Sequence, residues 1–98
     1  MAQTPEGRVK DKIKKILREH NIYYAMPHGA GYGNAGVPDF LCCFKGRFLA
    51  IETKAHDNSK LTELQQKQLQ DIEFRGGMTF VVHSANIHFF EIWVKENA

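Results

Sequence analysis

The sequence predicts an α/β fold in which helices cover both faces of a sheet. Two apolar runs of strand length, "DFLCCF" and "RFLAIETK", flank Lys45-Gly46, a pair that suits a tight hairpin turn. Amphipathic helical patterns precede and follow this hairpin, at about residues 5–20 and again after Thr62. Because both runs are apolar on both faces, the sheet needs cover on both sides, which favours an α/β sandwich.

The first helix is predicted from Thr4 and Pro5, which suit an N-cap and a first helical position. Its apolar residues recur at helical spacing: Val9, Ile13, Ile16, Leu17 and His20. The other face carries six basic residues and is interpreted either as a solvated face or as a DNA contact surface: Arg8, Lys10, Lys12, Lys14, Lys15 and Arg18.

The remaining elements follow from local signals. "NIYYAM" (21–26) is expected to be a short strand or an extended connector, and Thr62 with Gln65 forms a capping-box pattern that opens a second helix, ended by Gly76-Gly77. "MTFVVH" (78–83) is predicted as a strand, and "IHFFEIWV" (87–94) as a final strand. The predicted order is α, (β), β, β, α, β, β.

Length and composition indicate one domain spanning residues 1–98, with a formal charge of +2 that permits a nucleic-acid partner without requiring one. No apolar run approaches the roughly 20 residues that cross a bilayer, so we expect no membrane association and a cytoplasmic location. Cys42 and Cys43 are adjacent and are expected to be reduced residues of the core rather than a disulfide or zinc site.

The loop "HGAGYGNAG" contains a GxGxxG frame from Gly31 to Gly36, the pattern of dinucleotide-binding folds. Such a site requires a helix that starts on the glycines, whereas here Pro38 and a predicted strand follow. We therefore expect no nucleotide cofactor.

The hairpin register points to a chemical site. If Lys45-Gly46 is a two-residue turn, Asp39 lies opposite Glu52, and Lys54 shares their face of the sheet. Two carboxylates beside an ammonium suit Mg²⁺ and phosphodiester hydrolysis. Residue types alone leave a surface salt-bridge cluster equally open.

The ordered motifs resemble a known family. "PDF" followed by "IETK", with thirteen residues from Asp39 to Glu52, resembles the PD-(D/E)XK nuclease signature. With the leading helix, "GVPDF", "GRFLAIETK", "LTELQ" and "GGMTFVV", most of the chain is similar to stand-alone phage-type VRR-NUC (virus-type replication-repair nuclease) domains. The resemblance implies a restriction-endonuclease-like α-β-β-β-α-β sandwich with a central mixed sheet. Glu63 stands where the family often has proline.

The resemblance also implies residue roles. Asp39 and Glu52 become ligands of Mg²⁺ or Mn²⁺, with the Thr53 backbone carbonyl as a further ligand, and Lys54 becomes the catalytic lysine. Glu6 would reach the metal directly or through water, or else only favours the first helical turn. Gln65 would face the site or the phosphate, with the capping box as the alternative.

The implied activity is that of a metal-dependent DNA endonuclease on branched DNA, above all Holliday junctions, working as a homodimer in a phage-infected or bacterial cell. A nickase or restriction-like nuclease on duplex DNA, and a non-catalytic DNA-binding module, are the alternatives. His28, Tyr32 and Asn34 are candidate DNA contacts, since glycine-rich backbone can approach phosphates closely, and a mobile surface loop with no role in DNA binding is the alternative. His56, His83 and His88 are expected to cap or pack rather than bind metal.

Overall fold

The sheet has four strands and is mixed, and a mixed central sheet is what the family resemblance implies. A computed structural model describes residues 3–27 and 35–98 of the chain. Strands lie in the order β1-β2-β3-β4, with the first three antiparallel and β4 parallel to β3. The elements in chain order are α1 (Pro5–Glu19), β1 (Tyr23–Ala25), β2 (Phe40–Phe44), β3 (Arg47–Thr53), α2 (Glu63–Phe74), β4 (Met78–Val82) and α3 (Ile87–Asn97).

Helices cover both faces of this sheet. One face packs with α1 and α3 into a single buried cluster that includes Ile13, Phe40, Ile51 and Phe90. On the opposite face, α2 lies over β3 and β4, where Thr79 Oγ1 donates a 2.7 Å hydrogen bond to Glu73. The α/β sandwich predicted from the two-sided apolar strands is thereby confirmed.

The β2–β3 hairpin has the predicted turn and register. Lys45 and Gly46 both have positive φ, 52° and 80°, as a type I′ turn requires. Phe44 pairs with Arg47, and the ladder continues to Phe40 opposite Ile51. The turn therefore determines which residues meet at the open end of the hairpin.

Both predicted helix starts are confirmed. The Thr4 side chain accepts a 3.0 Å hydrogen bond from the Gly7 amide, and Thr62 and Gln65 form a reciprocal capping box at the start of α2. After α2, Gly76 adopts a φ of +94°, a left-handed conformation that glycine tolerates without strain.

The final segment is a helix, so the prediction of a final strand over 87–94 was wrong. An apolar run does not by itself distinguish a buried strand from a buried helix. Here the helical period decides, because Phe90 and Val94 are buried while Phe89 and Ile92 are exposed. Within the described ranges, no helix is both long and apolar enough to cross a membrane.

Candidate active site

The open end of the β2–β3 hairpin brings together the two acidic residues that the sequence singles out. Continuing the ladder one step beyond Phe40 and Ile51 places Asp39 across from Glu52. The Thr53 amide donates a 2.8 Å hydrogen bond to Asp39 Oδ2, so the aspartate is held against the end of β3. The predicted juxtaposition of Asp39 and Glu52 is present.

Glu52 is a buried carboxyl group, with only 3% of its surface exposed. Its Oε2 accepts a 3.2 Å hydrogen bond from Gln65 Nε2. Burial, reinforced by the charge of Asp39 and opposed by that of Lys54, raises the pKa of Glu52 to about 8. Without a cation in the site, Glu52 is therefore mostly protonated at neutral pH.

Gln65 connects Glu52 to Lys54. Gln65 Oε1 accepts a 2.8 Å hydrogen bond from Lys54 Nζ, while its Nε2 binds Glu52. The same Oε1 accepts a 2.9 Å hydrogen bond from the backbone amide of Thr62. The backbone amide of Gln65 donates a 3.1 Å hydrogen bond to Thr62 Oγ1 in return. The two interpretations of Gln65 are thus compatible, because one side chain caps α2 and contacts the site.

The first helix reaches the site through Lys10. Its Nζ lies 3.3 Å from Glu6 Oε2 and 3.6 Å from Asp39 Oδ1. Burial on its own lowers the pKa of Lys10, but the carboxylates of Asp39 and Glu6 outweigh burial and the net shift is upward. Glu6 therefore lies on the side of α1 that faces Asp39 through Lys10.

Lys10 was not singled out by the sequence analysis, which grouped it with the basic face of α1. Its side chain is only 29% exposed and contacts the site, unlike Lys15, which is 78% exposed. Its spacing of four residues from Glu6 indicated an ion pair along the helix. The contact with Asp39 joins residues 29 positions apart in sequence, and no local pattern reveals it.

The segment before Asp39 packs against the start of α2. Gly36 has a φ of +80°, and a Cβ there would lie 2.6 Å from the Leu64 carbonyl carbon and 2.8 Å from the Gln65 amide nitrogen. Pro38 is fully buried, and Gln68 Nε2 donates a 3.3 Å bond to the Ala35 carbonyl. Gly36, the last glycine of the GxGxxG frame, thus allows the backbone before Asp39 to lie close to the backbone of α2.

The donor set suits a cation that needs few protein ligands. In residues 3–27 and 35–98, no three Asp, Glu, His or Cys side chains are grouped to hold a metal ion. Mg²⁺ is commonly bound by one or two carboxylates and keeps several waters, so Asp39 and Glu52 fit it. The raised pKa of Glu52 also suits a metal site, because a bound cation would neutralise the Asp39–Glu52 pair as a proton does.

The remaining predicted residues contribute less to this picture. His28, Tyr32 and Asn34 lie outside the described residues. His83 Nδ1 accepts a 3.2 Å hydrogen bond from the Ala85 amide, a local capping contact of the kind expected. Thr53 is buried, and within the described ranges its Oγ1 has no hydrogen-bond partner.

Comparison with known proteins identifies the fold. No protein-family model and no curated protein matches the sequence. A solved structure described as "VRR_NUC domain" is similar with a TM-score of 0.75 and 25% identity, covering 96% of this chain and 94% of that one. Another, described as "VRR_NUC domain protein", has a TM-score of 0.66 and 17% identity, with 99% and 90% coverage, and supports the fold alone. The resemblance found in the motifs is confirmed, and the chain has the fold of a VRR-NUC nuclease domain.

Proposed function

We propose that this chain is a divalent-metal-dependent endonuclease that hydrolyses phosphodiester bonds in DNA. The observation that supports it most is the convergence of Asp39, Glu52 and Lys54 at one end of the hairpin, with Lys54 held to Glu52 through Gln65. The fold, shared with VRR-NUC domains, is the independent support.

Each residue has a distinct proposed role. Asp39 and Glu52 would hold Mg²⁺ or Mn²⁺, with the Thr53 carbonyl as a further ligand and with Glu6 reaching the metal directly or through water. When bound, the metal supplies a Lewis acid that polarises a phosphate oxygen and lowers the pKa of a bound water. Lys54 donates a hydrogen bond to the attacking water or to the phosphate, and its cation offsets the charge that develops there.

We further propose branched DNA, above all the four-way junction, as the substrate. One chain carries one Asp39–Glu52–Lys54 set in its described residues, which cuts one strand at a time. A two-fold homodimer would present two such sites to the two symmetric strands of a junction. From the resemblance to phage-type domains, we propose that it acts in the cytoplasm of a bacterial or phage-infected cell.

The test of catalysis compares Asp39→Asn with Asp57→Asn, a change of the same chemistry in the exposed loop after β3. We expect Asp39→Asn to lower the cleavage rate by about 1,000-fold or more, since it removes a ligand charge while keeping the acceptor for the Thr53 amide. Asp57→Asn should cleave like the parent. Equal rates for the parent and Asp39→Asn would show that the assigned site is wrong.

The test of substrate uses a labelled four-way junction and a linear duplex of the same sequence, each with Mg²⁺ and with a chelator. We expect metal-dependent cleavage of the junction, with paired cuts, and a dimeric mass in solution. Preferential cutting of the duplex would favour the nickase or restriction-like alternative. DNA binding without cleavage of either substrate would favour the non-catalytic module.

A further inference from the structure

Lys10 differs from the other basic residues of α1 in what it contacts. Its ammonium lies between two carboxylates, 3.3 Å from Glu6 Oε2 and 3.6 Å from Asp39 Oδ1. Lys14, one turn further along α1, is similarly exposed, but among the described residues it pairs only with Asp11, at 3.8 Å within its own helix. Lys10 alone of these two therefore joins the helix to the open end of the hairpin.

The position of Lys10 matters because of which oxygen it contacts. Asp39 Oδ2 already accepts the Thr53 amide, so Oδ1 is the oxygen with more capacity for a cation, and this is the oxygen that faces Lys10. A divalent cation bound to Asp39 Oδ1 would be repelled strongly by the Lys10 ammonium, which lies 3.6 Å from the same oxygen at this half-buried position. The long, flexible lysine side chain can move away, whereas the helix backbone that carries it is anchored in the core.

We propose that Lys10 is a tethered counter-cation that occupies Asp39 in the metal-free protein and competes with the divalent cation for it. The proposal rests on the function proposed above, in which Asp39 is a metal ligand. In this role the ammonium neutralises the carboxylates before the metal arrives and lowers the affinity of the metal-free site for divalent cations.

The competing explanation is structural and predicts the opposite sign. If Lys10 only holds Asp39 and Glu6 in the geometry that a metal needs, removing its charge should weaken metal binding. If Lys10 competes with the metal, removing its charge should tighten metal binding. The direction of the change in affinity therefore separates the two roles.

The experiment measures Mn²⁺ affinity without DNA, by electron paramagnetic resonance of free Mn²⁺ or by titration calorimetry, on the full chain. Lys10→Met keeps the length of the side chain and removes its charge, Lys10→Arg keeps the charge, and Lys14→Met is the matched control. We expect Lys10→Met to bind Mn²⁺ roughly tenfold more tightly than the parent. Lys10→Arg and Lys14→Met should bind like the parent.

Two additions keep the result decisive. Circular dichroism confirms folding of each variant, and Lys10→Gln replaces Lys10→Met if the latter does not fold. Asp39→Asn should abolish tight Mn²⁺ binding, which tests the metal site separately. If Asp39→Asn loses Mn²⁺ but Lys10→Met binds it no more tightly than the parent, the role of Lys10 is refuted and the proposed function stands. If the parent and Lys10→Met both fail to bind Mn²⁺, the metal site and the role of Lys10 fail together.

Discussion

The two carboxylates of the site lie on neighbouring strands, yet they have different surroundings. Asp39 is partly exposed, at 24% of its side chain, and faces the ammonium of Lys10 from α1. Glu52 is buried and bonded to the neutral amide of Gln65 from α2. Each acid is thus supported by a helix on a different face of the sheet, one through a charge and the other through an amide.

This difference shows how a small sheet can hold two acidic groups close together. One of the two acids, Asp39, has an opposite charge beside it, the ammonium of Lys10 at 3.6 Å from its Oδ1. Burial without a full counter-charge favours the protonated form of the other, and the raised pKa of Glu52 is the result. The two acids are therefore neutralised in different ways, Asp39 by the ammonium of Lys10 and Glu52 by a proton.

The largest expected effect is a loss of stability with rising pH that depends on Glu52. Its pKa is raised from 4.5 to about 8, so the folded state binds a proton that the unfolded chain has lost in this window. The stability from this group is full below about pH 4.5 and is lost as pH rises towards 8. We expect the metal-free protein to lose about 4 kcal/mol of unfolding free energy between these values through this group.

Glu52→Gln, which cannot ionise, should flatten this pH dependence in chemical denaturation of the metal-free protein. Glu63→Gln, at the exposed start of α2, is the matched control and should behave like the parent. An equal slope for the parent and Glu52→Gln between pH 5 and 8 would contradict the link between burial and protonation at Glu52.

A second expected effect concerns the segment that leads to Asp39. Gly36 and Gly46 share a φ of +80°, but a Cβ on Gly36 would meet the Leu64 backbone, while one on Gly46 would meet nothing within 4 Å. We expect Gly46→Ala to cost about 1 kcal/mol for the left-handed conformation, and Gly36→Ala about 3 kcal/mol because α2 must also move.

Denaturant titration measures both costs. Gly36→Ala should also slow DNA cleavage, since α2 carries Gln65, whereas Gly46→Ala should not. Equal costs for the two substitutions would mean that the contact between residues 35–38 and α2 does not hold the site.

The smallest expected effect separates the two roles of Gln65. Thr62→Ala removes the cap of α2 and leaves Gln65 able to bind Lys54 and Glu52, so it should cost about 1 kcal/mol of stability and leave the cleavage rate unchanged. Gln65→Met removes the site contacts as well, and we expect about a tenfold lower rate. Cleavage kinetics at saturating DNA, beside denaturation of both variants, check this. A rate for Gln65→Met equal to that of Thr62→Ala would confine Gln65 to capping.

The sequence predicted the structure correctly where a rule about neighbouring residues determines the local conformation. Two residues with positive φ determine the hairpin turn, and the period of two along each strand then places Asp39 opposite Glu52. The prediction for Ile87–Val94 failed because an apolar run suits a buried strand and a buried helix equally. The packing of Phe90 and Val94 against the rest of the core made that choice.

By itself, then, the sequence determined the two capped helices, the hairpin with its register and the family resemblance. All of these depend on residues close together in the chain or on motifs in a fixed order. Only the tertiary structure decided that α3 is a helix, that Lys10 reaches Asp39, and that Gln65 bridges Lys54 and Glu52 while it caps α2. Those features depend on distances between side chains from different elements, and such distances are set by how the helices pack on the sheet.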